Sequence, residues 1–198
     1  MKKENLSGQA HQKTPKKRDA EGTRQRILDA ARTRFTKSSY DLVGLREIAA
    51  DANVTATMIS RYFGSKEGLF REVIADSFKL TQAGPVQLNK FSGAVARHFM
   101  SPDIFRFSSN GFDPTQLLLH SLMSPTAAPI MAKAYYEDFV KPLASLIGGD
   151  DAEIKATVIS SYLIGLATLR VALGSPAFRA RNMEKLTALV SKTIQDCL

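Results

Sequence analysis

The stretch LREIAADANVTATMISRYF, residues 45–63, constrains this chain more than any other. Leu45, Ile48, Ala49 and Ala52 recur at the spacing of one helix face. Asn53-Val54 then interrupts the pattern, and asparagine tolerates the left-handed backbone that a sharp corner demands. Thr55 stands where it would cap a second helix, ATMISRYF, its hydroxyl accepting a bond from a free backbone N–H. In that helix Ile59 and Tyr62 face the first helix and Phe63 flanks them, while Ala49 is small where the two would cross. Two short helices around a tight corner predict a helix-turn-helix, whose second helix enters the major groove of DNA.

The surroundings fit that unit. Ile27, Leu28, Ala31 and Phe35 predict a helix over 22–39, with Thr23 as its capping candidate. Arg24, Arg26, Arg32 and Arg34 lie off the apolar face and read mostly as a solvated surface. Gly44 suits the N-cap of the first helix of the pair. After Phe63, Ser65 is a good N-cap for a helix buried through Leu69, Phe70, Val73, Ile74 and Phe78, ending at Gly84-Pro85. Lys66 falls in its first turn, where a cation opposes the helix dipole. That anomaly points to an outside anion such as a DNA phosphate, against the plainer reading of an exposed lysine.

Further on, LNKFSGAVARHFM reads as an amphipathic helix and SPDIFRFSSNG as a loop. Asp113-Pro114 opens TQLLLHSLM, apolar nearly all round and so buried. Pro125 starts a longer helix in which Pro142 should force a kink. Gly148-Gly149 is a break, followed by a long helix whose stripe runs Ile154, Val158, Ser161, Tyr162, Gly165, Leu169, Leu173. The last helix carries Met183, Leu186, Leu189, Val190 and Ile194. These two closing helices show more apolar surface than an edge pair needs. With Ser161 and Gly165 small and one turn apart, they predict a homodimer through 152–173 and 177–197. No strand-type alternation and no internal repeat is present, so the expected fold is all-α. The expected divisions are a disordered basic arm (1–21), a helix-turn-helix DNA-binding domain (22–65) and a helical ligand-binding and dimerisation domain (66–198), with 66–84 as connecting helix.

Charge narrows the partners. The formal net charge is +8, which suits a polyanion, either nucleic acid or a membrane surface. The basic residues concentrate in the arm and the helix-turn-helix rather than on one amphipathic face, which disfavours the membrane. No run of 18 apolar residues occurs and the N-terminus lacks an apolar signal core, so a cytoplasmic protein without a transmembrane helix is expected. The single cysteine, Cys197, cannot form an internal disulfide. No phosphate-binding loop, dinucleotide-binding glycine pattern, HExxH or cysteine cluster is present, and the histidines are scattered. No catalytic residue, metal site or cofactor is therefore expected.

Three segments carry a family resemblance: ILDAARTRF over 27–35, LREIAADANV over 45–54 and ISRYFGSKEGLF over 59–70. Together they resemble the N-terminal domain of the TetR family of transcriptional regulators, and the YFxSKExL run after a helix-turn-helix is specific. Asn53 stands where the family commonly has glycine, and Ser60 where it often has an aromatic; both change the surface offered to DNA. The resemblance implies a homodimer with a three-helix head, a helical body holding a ligand cavity, and repression relieved by a small molecule. The alternative is a regulator without a small-molecule ligand, controlled by a protein partner or acting as an activator.

The residues expected to meet DNA are Arg46, Thr55, Thr57, Met58, Ser60, Arg61, Tyr62 and Lys66. Arg61 is the charged side chain on the exposed face of the second helix, suited to a guanine edge or a phosphate. Thr57 and Met58 suit thymine methyls or base edges, and Arg46 and Lys66 suit phosphates. For an effector the candidates are Phe107, Gln116, His120 and Tyr136, polar or aromatic positions among apolar ones. His120, inside LLLHSLM, leads because a buried imidazole needs a partner.

Overall fold

The computed structural model describes residues 15–75, 77–78, 87–100 and 112–198. Every regular element among them is helical: α1 (Pro15–Lys37), α2 (Leu45–Asp51), α3 (Ala56–Phe63), α4 (Lys66–Ile74), α5 (Leu88–Met100), α6 (Pro114–Ser121), α7 (Ala127–Tyr135), α8 (Lys141–Ile147), α9 (Ala152–Ala167) and α10 (Met183–Asp196). The all-α expectation holds.

Helix α1 starts earlier than predicted. Residues 15–21, assigned from sequence to the arm, form its first two turns, and residues 1–14 lie outside the described residues. Asp19, Ala20 and Glu21 are exposed, and the sequence there carries no large apolar residue to signal a helix. Thr23 is consequently no cap. It is buried in mid-helix and its hydroxyl donates to the Asp19 carbonyl at 2.9 Å.

The apolar stripe of α1 (Ile27, Leu28, Ala31, Phe35) packs against Ile48 and Ala49 of α2, Ile59 of α3 and Leu69, Phe70, Val73 of α4. Leu117 and Leu118 of α6 and Ala127, Ile130 and Met131 of α7 belong to the same cluster, so the core of the head continues into the body. A second cluster joins Phe91, Ala96 and Met100 of α5 with Leu143, Ala156, Ile159, Leu163, Val190 and Ile194 from α8, α9 and α10.

Helix α4 stops at Ile74, short of the predicted end near residue 84, because Ala75 turns to φ −54, ψ 132. The Ser77 hydroxyl donates to the Val73 carbonyl at 3.2 Å, a bond that competes with helix continuation. Residues 79–86 lie outside the described residues.

Two prolines shape the body. Pro125 follows Ser124, whose hydroxyl accepts the Ala127 amide, the first of α7, at 3.1 Å. Pro142 sits just after a π-helical turn, Tyr136–Val140, that links α7 to α8. A proline removes one N–H and crowds the carbonyl four residues back; the wider turn takes up that misfit. A second π turn, Thr168–Ala172, extends α9. The predicted stripe of α9 is largely uncovered, with Ile154 65%, Val158 50%, Leu169 45% and Leu173 69% exposed. By length and composition Ala152–Ala172 is apolar enough to cross a membrane, a property the sequence reading did not anticipate.

The α6 N-terminus is built as expected. Asp113 caps it, one carboxylate oxygen accepting the amides of Thr115 at 2.8 Å and Gln116 at 3.2 Å. The other oxygen, Oδ2, is buried without a hydrogen bond. Burial therefore raises the Asp113 pKa, and the Gln116 and Thr115 amides only partly oppose this. A carboxyl with a raised folded pKa adds stability below its unfolded pKa and loses it as pH rises through the folded value. Asp113→Asn keeps the capping oxygen and cannot ionise. It should flatten the decline in melting temperature between pH 4 and 7, and an unchanged decline would assign that slope to other groups.

Candidate nucleic-acid interface

The corner between α2 and α3 forms as predicted. Asn53 has φ 53, alone among described non-glycine residues with positive φ, and the Val54 amide donates to the Ala49 carbonyl at 2.9 Å. Gly44 occupies the N-cap of α2, and the Glu47 carboxylate reaches back to its amide at 3.1 Å. Thr55 occupies the N-cap of α3, but its hydroxyl accepts no capping bond; the expectation was right about position and wrong about the bond. That hydroxyl stays on the exposed surface.

Burial orients α3. Ile59 is fully buried and Tyr62 and Phe63 are half-buried against the same core. Thr57, Ser60 and Arg61, at i, i+3 and i+4, share the opposite, exposed face, and Met58 is half-buried at its border. Arg46 on α2 is exposed as well. Neither Arg46 nor Arg61 makes an ion pair among the described residues. Arg46 on α2 and Thr57, Ser60 and Arg61 on α3 are thus exposed cations and short hydrogen-bonding side chains, the residue types that base edges and flanking phosphates require.

The α1 arginines depart from the solvated surface expected of them. Arg34 forms a two-point contact with Asp51 of α2, at 2.5 and 2.9 Å, which holds the Asp51 carboxyl below its ordinary range. Arg24 pairs with Glu72 of α4 at 3.0 Å and lies 5.1 Å from the Phe63 ring centroid. Arg32 lies over the Phe112 ring at 5.6 Å. Asp51, Glu72, Phe63 and Phe112 all lie outside α1, beyond the reach of periodicity arguments. These contacts brace the pair that carries the outward surface.

Lys66 departs from the plainer reading of an exposed lysine: it is half-buried. The Ser65 hydroxyl caps α4 by accepting the Gly68 amide at 3.0 Å, as expected. The Lys66 ammonium sits 4.3 Å from the centroid of the Tyr40 ring. Partial burial lowers its pKa, and Asp41 opposes that shift. Tyr40 was absent from the expected contacts; only its adjacency in space to Lys66, not in sequence, reveals the pair.

The effector candidates are scattered. Phe107 lies outside the described residues. Gln116 and His120 share one face of α6, four residues apart, and both are half-buried; His120 Nδ1 is buried without a hydrogen bond. Tyr136 does not line an interior: it is 39% exposed and its hydroxyl donates to Glu153 at 2.9 Å. Its neighbour Tyr135 is the inward ring, stacked on Phe139 and edge-on to Phe78, with burial pushing its phenol up to about 12. The π turn begins between the two tyrosines' roles, which sequence periodicity does not resolve.

Known proteins bear on this geometry. Residues 27–73 match the family described as bacterial regulatory proteins, tetR family, and residues 94–198 match the tetracyclin repressor-like C-terminal domain. No curated protein matches the sequence. Among solved structures, a TetR-family regulator from Streptomyces coelicolor A3 is 22% identical, with 89% of this chain and 94% of that chain covered and a TM-score of 0.56. NalD, the secondary repressor of the MexAB-OprM multidrug efflux pump in Pseudomonas aeruginosa, is 18% identical, with 91% and 98% covered and a TM-score of 0.66. The hemolysin II transcriptional regulator HlyIIR is 20% identical, with 89% and 99% covered and a TM-score of 0.56. At these identities the likeness is one of fold.

Proposed function

Because the chain belongs to the tetR family of bacterial regulatory proteins, DNA-binding transcription factors rather than enzymes, we propose that it is a homodimeric repressor released from its operator by a small molecule. The observation that carries the reading is the two-faced α3: Ile59 fully buried, Thr57, Ser60 and Arg61 outward. Two such helices, one per subunit, read successive major grooves of a palindromic site in the cytoplasm. Arg61, Thr57, Met58 and Ser60 meet base edges; Arg46, Thr55, Tyr62 and Lys66 meet the backbone.

The second subunit covers α9. Its uncovered stripe carries Ser161 along with the apolar residues, with exposed Glu153 and Thr157 beside it, a mixture suited to a protein partner rather than to lipid. The pairing uses 152–173 with support from 177–197, although α10 spends Val190 and Ile194 on its own subunit. The names of NalD and HlyIIR, a repressor and a transcriptional regulator, support the repressor reading. Gln116 and His120 are the side chains assigned to the effector, since the buried Nδ1 of His120 has no hydrogen-bond partner among the described residues. A ligand releases DNA only to the extent that it binds the DNA-free state more tightly.

Fluorescence anisotropy with an operator selected from a random pool tests the reading. Arg61→Ala should cost ~1–3 kcal/mol in affinity for each base that the guanidinium reads. As an exposed residue without an ion pair, it should leave the melting temperature nearly unchanged. Undiminished affinity would remove Arg61 from the interface, and binding indifferent to sequence would remove the operator reading itself.

A further inference from the structure

The first turn of α4 is an unfavourable place for a cation, because the helix dipole presents its positive end there. Lys66 nevertheless occupies the first position of that helix. The Asp41 charge helps from a distance, without an ion pair, and the structure shows what holds the ammonium directly. The ammonium lies 4.3 Å from the centroid of the Tyr40 ring, whose negative π face attracts it. The ring is itself fixed. Tyr40 is only 6% exposed, stacks on Phe35 at 5.7 Å and meets Phe70 edge-on at 5.1 Å. It therefore forms a rigid floor beneath the lysine rather than a mobile partner.

The form of this compensation matters. A carboxylate would neutralise Lys66 by accepting its N–H bonds. A π face supplies attraction without a lone pair, so the directional donors stay unused. Lys66 makes no hydrogen bond and no ion pair among the described residues. Its position relative to α3 is equally specific. Phe63 ends α3, and Gly64, with φ 76, and Ser65 turn the chain into α4. The ammonium is thus held beyond the end of α3 that carries Arg61. When a recognition helix lies in the major groove, the sugar-phosphate backbone runs past such an end.

We propose that Tyr40 is a positioning residue for DNA binding: its ring holds the Lys66 ammonium, donors outward, for a backbone phosphate beside the groove that α3 enters. The proposal rests on the reading of Lys66 as a phosphate contact. Tyr40 itself touches no DNA. Its contribution is preorganisation, because a lysine already held in place loses less freedom on binding. The Tyr40 hydroxyl makes no hydrogen bond among the described residues, so phenylalanine should do the same work.

Salt dependence separates positioning from mere packing. Removing one cation from its phosphate lowers the slope of log K against log salt by about 0.9, or about 1.8 for a two-headed complex. Lys66→Gln is expected to show that drop. Tyr40→Leu should reproduce most of it and weaken binding about two- to fivefold per head, while Tyr40→Phe should match the wild type in slope and affinity. In the Tyr40→Leu/Lys66→Gln double variant the two effects should not add. A normal slope in Lys66→Gln would overturn the phosphate reading beneath the proposal. A reduced slope there with a wild-type slope in Tyr40→Leu would overturn the positioning role alone. A readout that needs no core substitution covers a Tyr40→Leu variant that fails to fold. In reductively methylated wild-type protein, the Lys66 methyl signal should carry an upfield ring-current shift that persists on operator binding. Its absence, or its disappearance on binding, would overturn the proposal.

Discussion

Replacing Val158 and Leu169 together by glutamate is expected to turn the protein into a monomer and to weaken operator binding on the order of a hundredfold or more, because the two heads would no longer bind as one linked unit. Both residues lie on the uncovered stripe of α9, 50% and 45% exposed, with Ile154 and Leu173 at 65% and 69%. Positions 154, 158, 161, 165 and 169 advance by four, three, four and four, the spacing of one helix face. An added Cβ at Gly165 would meet nothing within 4 Å, so a second helix can approach closely there. Burying an unpaired carboxylate in such an interface costs several kcal/mol per ion, and the two-fold axis doubles each substitution. In the separate subunit both side chains face solvent, so the fold should survive. Sedimentation velocity reads the oligomeric state, anisotropy the affinity and circular dichroism the fold. A folded double variant that remains dimeric at wild-type affinity would place the interface elsewhere.

Gly68→Ala should cost ~3 kcal/mol or more in unfolding free energy, against the usual gain of up to ~1 kcal/mol when alanine replaces glycine inside a helix. The reversal of sign has one cause. A Cβ at this position would stand 2.1 Å from the Phe63 carbonyl oxygen, a backbone atom with little room to move. That carbonyl accepts the Ser65 amide at 2.9 Å, and the Ser65 hydroxyl in turn accepts the Gly68 amide at 3.0 Å. The bonds close the turn from α3 to α4, so shifting the carbonyl loosens the cap and the end of α3 together. For a chain of this size the melting temperature should fall by roughly 6–12 °C. Equal or greater stability would show that the turn yields without cost.

What was legible in the sequence was local. The α2–α3 corner followed from Leu45, Ile48, Ala49 and Asn53, because helical period and left-handed backbone are properties of neighbouring residues. Ser65 was found as a cap, and Asp113-Pro114 as the opening of a helix, for the same reason. Thr55 was found only in part: cap position is local, but whether the hydroxyl bends back is set by its surroundings. The opening turns of α1 were missed because residues 15–21 hold no large apolar side chain whose recurrence could mark a helix. The arginines of α1 were misread because Asp51 lies 17 residues from Arg34, and Glu72 further still from Arg24. Lys66 stood out as an anomaly, yet its partner Tyr40 could not be named without the fold. Tyr136 was named and the inward ring is Tyr135, because a π turn shifts the phase in which one of two adjacent rings points inward.

The core shared between the head and α6–α7 makes these parts a single mechanical body at that junction. Ile27 and Phe70 belong to the same cluster as Leu117, Ile130 and Met131. The head is not a weight hung on a tether, whose swing a ligand merely restricts. Any rearrangement that tilts α6 or α7 has to slide packed side chains past one another, and close-packed interiors yield in steps rather than by degrees. Under the proposed release by a small molecule, a body joined to its head in this way would act as a switch with two seats.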